Sequence, residues 1–140
     1  MAWLRRFGSF NTGWVDVPIG TGDGWWLDGT GTVQVRRRGG SDPDLDMLDI
    51  RFTNVGVLPD APEFGYLTPA GFLPDGFRVW SPERAAINLG NVNGNREYRI
   101  RIMQNSRLLL QRGGDQPGTG VQAIQGTLSL LAYAARPGGY

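Results

Sequence analysis

Cysteine, histidine and lysine are all missing from this chain of 140 residues. Without thiols it can build neither a disulfide scaffold nor a thiolate zinc site. Without imidazole it has no histidine metal site and neither Ser-His nor Cys-His catalysis. The lack of lysine closes off Schiff-base chemistry and a Walker-type phosphate loop. No apolar run reaches the 18 or so residues of a membrane span. The segment Met1–Phe10 carries charge, but no apolar stretch of the signal-peptide kind follows it. A net charge of +1 gives no bulk attraction toward nucleic acid or anionic lipid. The expectation is a protein with no cofactor and no covalent chemistry, which does not insert into membranes.

What remains is sufficient for one domain. The 22 glycines and 9 prolines are roughly twice the usual combined share. Disordered chains of that kind are poor in aromatics, whereas here there are five Trp, six Phe and four Tyr. The composition therefore describes a folded, turn-rich chain.

Period-2 alternation dominates it. Val15, Val17 and Ile19 alternate within Trp14–Ile19, and Val33 and Val35 within Thr32–Arg38. Leu48, Ile50 and Phe52 alternate with Asp49, Arg51 and Thr53. Tyr98, Ile100 and Ile102 alternate with Arg99 and Arg101, the cleanest pattern in the chain. Phe77–Trp80 adds a short segment. Thr127–Tyr133 is apolar on both faces, which predicts a central strand or a subunit contact. Leu128, Leu130, Tyr133 and one of Trp25 or Trp26 are the expected buried positions, in the protomer or between subunits. Gln104-Asn105-Ser106 is short enough to close a hairpin between Glu97–Met103 and Arg107–Arg112. Arg84–Leu89, preceded by Ser81-Pro82, reads equally as a short helix or a strand. Asn54–Gly76, with four prolines, reads as a long irregular loop. Strands at this spacing predict an all-β sandwich or barrel. The organisation expected is an N-terminal arm over residues 1–13 and a single domain over 14–140.

Several groupings bear on function. Asp42, Asp44 and Asp46 have the spacing that begins a calcium loop, but Met47 and Thr53 occupy the positions that need Gly and Glu, so no metal is expected. No spacing among the carboxylates singles out a glycosidase pair. Arg36, Arg37 and Arg38, with Arg99 and Arg101, could form a basic stripe. A solvated sheet face, or pairing with Asp across subunits, explains them better than nucleic acid does. Trp25, Trp26, Tyr66 and Trp80 lie beside Gly- and Pro-rich loops. Adjacent strand residues face opposite ways, so one of Trp25 and Trp26 must meet a partner subunit, a ligand or water. The arm residues Trp3, Leu4, Phe7 and Phe10 are costly to leave in water and suggest docking into an assembly.

The order of these pieces is familiar. It runs from Gly13-Trp14-Val15-Asp16-Val17 through Val33-Gln34-Val35-Arg36-Arg37-Arg38-Gly39 to Leu73-Pro74-Asp75-Gly76-Phe77-Arg78. Arg99-Ile100-Arg101-Ile102 follows with its hairpin partner, then Ile124-Gln125-Gly126-Thr127-Leu128-Ser129-Leu130 and Arg136-Pro137. From Gly13 to Pro137 this resembles the C-terminal head domain of tail-fibre and minor tail proteins of long-tailed bacteriophages, especially actinobacterial ones. The resemblance implies an antiparallel, jelly-roll-like β-sandwich that trimerises on the virion and binds host cell-wall saccharide. Trp25, Trp26, Tyr66 and Trp80 would then carry the sugar contact, and other tail or capsid proteins would be partners. About thirteen residues precede the domain where relatives have a shaft, which suits a subunit seated directly on a tail tip, baseplate or capsid. Asn105-Ser106 replaces the Asp-Gly or Asn-Gly hairpin turn frequent in those relatives. The competing expectations are a capsid decoration or head-spike protein and a free carbohydrate-binding module.

Overall fold

Alternating β-branched and aliphatic residues can bury one side of an extended chain, and pairing satisfies the backbone that this leaves behind. The computed structural model describes residues 9–19, 27, 29–58, 64–66, 73–79, 84–88, 97–102, 108–112, 122–133 and 135–138. Its strands are β1 (Phe10–Asn11), β2 (Val15–Val17), β3 (Thr32–Gly39), β4 (Met47–Val57), β5 (Phe64–Tyr66), β6 (Arg78–Val79), β7 (Arg84–Asn88), β8 (Glu97–Ile102), β9 (Leu108–Arg112) and β10 (Gln122–Tyr133). A short 3-10 turn, Pro43–Leu45, precedes β4. The chain is all-β, with no α-helix among the described residues.

The strands form two antiparallel sheets. The larger has six strands in the order β1-β3-β4-β10-β6, with β2 also paired to β3; the smaller has four, in the order β5-β9-β8-β7. One cluster of buried apolar side chains draws on both. Val33 and Val35 of β3, Leu48, Ile50 and Phe52 of β4, and Ile124 and Leu128 of β10 join Ile100, Leu108 and Leu110 of the smaller sheet. Burying a side chain of this size fully contributes about 1.5–3 kcal/mol, so this shared cluster is the main source of stability.

A bulge lets β4 serve the core along its whole length. Ile124 pairs with Val55 but Gly126 with Phe52, so β4 carries one residue more than β10 between those pairs. Asn54 takes up the excess at φ +48°, the left-handed region that asparagine tolerates. Phe52 and Val55, three residues apart, are therefore both buried. Gly31 is required beside this bulge. It has φ +84°, and a Cβ there would lie 2.2 Å from the Asn54 carbonyl oxygen.

Several expectations change. Phe10 lies in a strand, β1, paired at Gly39, where the sequence gives no strand signal before Trp14. Arg84–Asn88 is a strand, because cross-strand pairing with β8 from Arg84↔Arg101 to Asn88↔Glu97 decides an ambiguous local preference. The span expected to be irregular from Asn54 contains the end of β4 and all of β5. β10 lies between β4 and β6, as its two-sided apolarity predicted. Leu128 and Ala132 point inward, whereas Tyr133 is 46% exposed in the single chain because it falls on the opposite phase of the strand. The hairpin partners β8 and β9 pair from Tyr98↔Arg112 to Ile102↔Leu108; the Asn105-Ser106 turn lies outside the described residues.

Candidate functional site

Two carboxylates organise the arginines of the larger sheet, one on each side of it. The register sets Arg36 of β3 opposite Asp49 of β4, and Asp49 opposite Ser129 of β10. Arg36 donates to Asp49 from Nε at 3.0 Å and Nη2 at 2.7 Å, Arg38 from Nε at 2.7 Å, and the Ser129 hydroxyl at 2.7 Å. Asp49 is only 1% exposed although it lies on the face away from the core, because these side chains cover it. Burial pushes its carboxyl upward, but hydrogen bonds from Arg38, Ser129 and Arg36 outweigh that and hold it below the usual carboxylate range. The same bond raises the Arg38 pKa.

Trp14 completes this face. The Arg36 and Arg51 guanidiniums lie 4.4 and 4.1 Å from the centroid of its ring, within the range of cation–π attraction. Arg51 Nε donates to Gln34 Oε1 at 3.1 Å, and Gln34 Nε2 donates to Asp16 Oδ1 at 2.8 Å. A half-buried indole is thus held in one orientation by two cations that are themselves fixed. Further along β10 on this face, Leu131 is 47% exposed beside Tyr133. The face is therefore polar and preorganised at one end, apolar and uncovered at the other.

The second carboxylate, Asp46, lies fully buried at the end of the sheet. Arg37 Nε and Arg136 Nε each donate to Asp46 Oδ2 at 2.8 Å, and Arg136 Nη2 to Oδ1 at 2.8 Å. Arg37 Nη1 also donates to the carbonyls of Gly76 at 2.8 Å and Ala135 at 3.0 Å. Burial raises the Asp46 carboxyl, but the hydrogen bonds and positive charges of Arg136 and Arg37 depress it further. The Arg136 guanidinium, its own pKa raised by Asp46, stacks 4.0 Å from the Phe10 ring centroid. This cluster joins β1, β3, the turn at Gly76 and the C-terminal segment. Its chemistry is structural, since both Asp46 oxygens accept from guanidiniums and Arg37 ties the sheet to backbone carbonyls.

The expected sites are distributed unevenly. Asp42 accepts from the Asp44 backbone amide and so caps the 3-10 turn, while Asp46 is a buried ion-pair partner. Asp42–Leu45 is thus an exposed turn entering β4, with Asp46 alone of the run buried, and among the described residues no group of acidic side chains could hold a metal. The basic stripe is divided, because Arg36, Arg37 and Arg38 belong to the larger sheet and Arg99 and Arg101 to the smaller. The Asp partners expected across subunits come from the same chain. Phe10 packs under Arg136 as part of the sheet. Tyr66 stands in β5 opposite Leu109. Trp3, Leu4, Phe7, Trp25, Trp26 and Trp80 lie outside the described residues. Sequence reasoning missed Trp14, Asp49, Asp46 and Arg136. One signal was available: Arg37 continues the inward phase of Val33 and Val35, and an inward arginine demands a buried carboxylate.

No family model matches the chain, and no curated protein sequence matches it.

Proposed function

We propose that this chain is a non-catalytic structural protein of a bacteriophage virion, a minor tail or tail-fibre head subunit that mediates attachment to the host surface. In this reading the two sheets pack as a jelly-roll-like β-sandwich, three copies form a trimer, and the assembly sits on the tail among other virion proteins. The observation that carries it is the outer face of the larger sheet. There Trp14 is clamped between Arg36 and Arg51, with Leu131 and Tyr133 uncovered further along. A rigid face of this sort recognises a partner by shape and contact, which suits a sequence lacking the side chains of nucleophilic catalysis. The apolar end fits a neighbouring subunit. Trp25, Trp26, Tyr66 and Trp80 are the aromatics that this reading assigns to stacking on a cell-wall saccharide ring.

Immunogold labelling of intact particles tests the reading. Label on the tail is the expected result, and label over the head assigns the chain to capsid decoration. Particles carrying Trp26→Ala are expected to assemble and to lose adsorption; normal adsorption removes that residue from the contact.

A further inference from the structure

The segment that follows β10 crosses the end of the larger sheet from strand to strand. Arg37 Nη1 donates to the carbonyls of Tyr133 at 3.4 Å and Ala135 at 3.0 Å. Arg136 then reaches three places. It donates to both oxygens of Asp46, one residue before β4, and to the carbonyl of Gly40, one residue after β3, at 2.6 Å. Its guanidinium also stacks on the Phe10 ring of β1. Pro137 lies against Gly76, where a Cβ would come within 2.5 Å of the proline nitrogen. One side chain thus fastens β1 to the ends of β3 and β4.

β1 is short. It pairs with β3 at Phe10↔Gly39 and Asn11↔Arg38. Thr12 extends the contact: its amide donates to the Arg37 carbonyl at 3.0 Å, and its hydroxyl accepts from the Arg37 amide at 3.1 Å. Pairings of this length open locally at low free energy unless side chains pin them. Beyond Gly13 a different fastening takes over. β2 pairs with β3 from Val15↔Val35 to Val17↔Val33, and Trp14 is held by Arg36 and Arg51. Gly13 stands between the two at φ +72°, exposed, with nothing within 4 Å of where a Cβ would lie. A glycine so placed can absorb the backbone rotation of a hinge.

We infer that residues 135–137 form a strap that governs whether β1 stays in the sheet. Opening the fork between Arg136 and Asp46 carries the guanidinium off Phe10, and β1 then swings out about Gly13 while β2 to β10 keep their pairing. Arg37 remains on Asp46 throughout, so neither buried charge is left alone and the release stays local. The coupling runs both ways, because a free energy shared by two events acts equally on each. A partner that draws the chain outward ahead of Gly13 loosens the strap, and one that displaces the strap frees β1. This holds for whatever assembly the chain joins.

The test is native-state hydrogen exchange on the whole protein over a series of low urea concentrations. The Thr12 amide and the Arg136 Nε–Hε are expected to exchange through one opening, with the same shallow dependence on urea. The amides of Ile50 and Ile100, on central strands of the two sheets, are expected to exchange only through a steeper one. Two variants then perturb one partner and read the other. Thr12→Val removes a hydrogen bond of β1 without touching the strap, and is expected to speed exchange at Arg136 Nε–Hε about fivefold. Pro137→Ala loosens the strap without touching β1, and is expected to speed the Thr12 amide. A Thr12 amide that exchanges as steeply with urea as Ile50 overturns the strap, since β1 then leaves only when the whole chain unfolds. An unchanged rate at the opposite partner in either folded variant overturns the coupling.

Discussion

Asp46 shows how much one buried side chain decides. Two guanidiniums converge on it, and Arg37 is as thoroughly buried as the carboxylate. Asp46→Asn leaves Arg37 as an uncompensated interior cation, and the expected loss is about 3–5 kcal/mol in urea unfolding. A hydrophobic replacement of similar volume on the cationic side, Arg37→Met, is expected to cost less than Asp46→Asn, because the carboxylate keeps Arg136. The same pairs set the acid sensitivity. The folded-state carboxyls of Asp46 and Asp49 both lie below their ordinary range. Their contribution is therefore complete above the unfolded carboxyl value, near pH 4, and is lost as pH falls through the lower folded values. Unfolding midpoints measured from neutral pH downward should hold steady to about pH 4 and then drop, with a shallower drop in Asp49→Asn.

At the level of strands, the alternation of Val33-Val35, Leu48-Ile50-Phe52 and Tyr98-Ile100-Ile102 located β3, β4 and β8 directly. It does so because one buried face imposes a period of two on any strand. It failed where other forces act. The continuation of β4 past Thr53 depends on a bulge at Asn54 that no periodicity announces, and β1 depends on Phe10 meeting Arg136 from the far end of the chain. The site was less legible still. Trp14 looked like the start of a strand, and nothing local shows that Arg36 and Arg51, 15 residues apart in number, flank its ring. Two substitutions probe this level. Gly31→Ala sets a side chain against the Asn54 carbonyl at positive φ. The conformation alone costs about 1–3 kcal/mol, so a clear fall in thermal midpoint is expected. Ile100→Asp puts an unpaired carboxylate where the residue is 1% exposed; loss of the folded state by circular dichroism is expected.

Across the whole molecule, the proposed trimer can be read out by sedimentation equilibrium. The wild-type chain is expected at three times 15.3 kDa, and Leu131→Asp, on the exposed face of β10, as a folded monomer. A trimer unaffected by that change moves the interface elsewhere. The arm has a structural boundary as well. Deleting residues 1–8 spares Phe10 and β1, whereas deletion through Asn11 removes a strand of the larger sheet and the ring beneath Arg136.

The bond between Asp46 and Arg136 spans a separation of 90 residues. A ribosome exposes the carboxylate long before it has polymerised the second of its two cations. Until then Asp46 has Arg37 alone, and the carbonyl of Ala135 that Arg37 also binds does not yet exist. Closure of the larger sheet thus waits until Arg136 has been translated, and a product terminated before that residue leaves Asp46 with one cation in place of two.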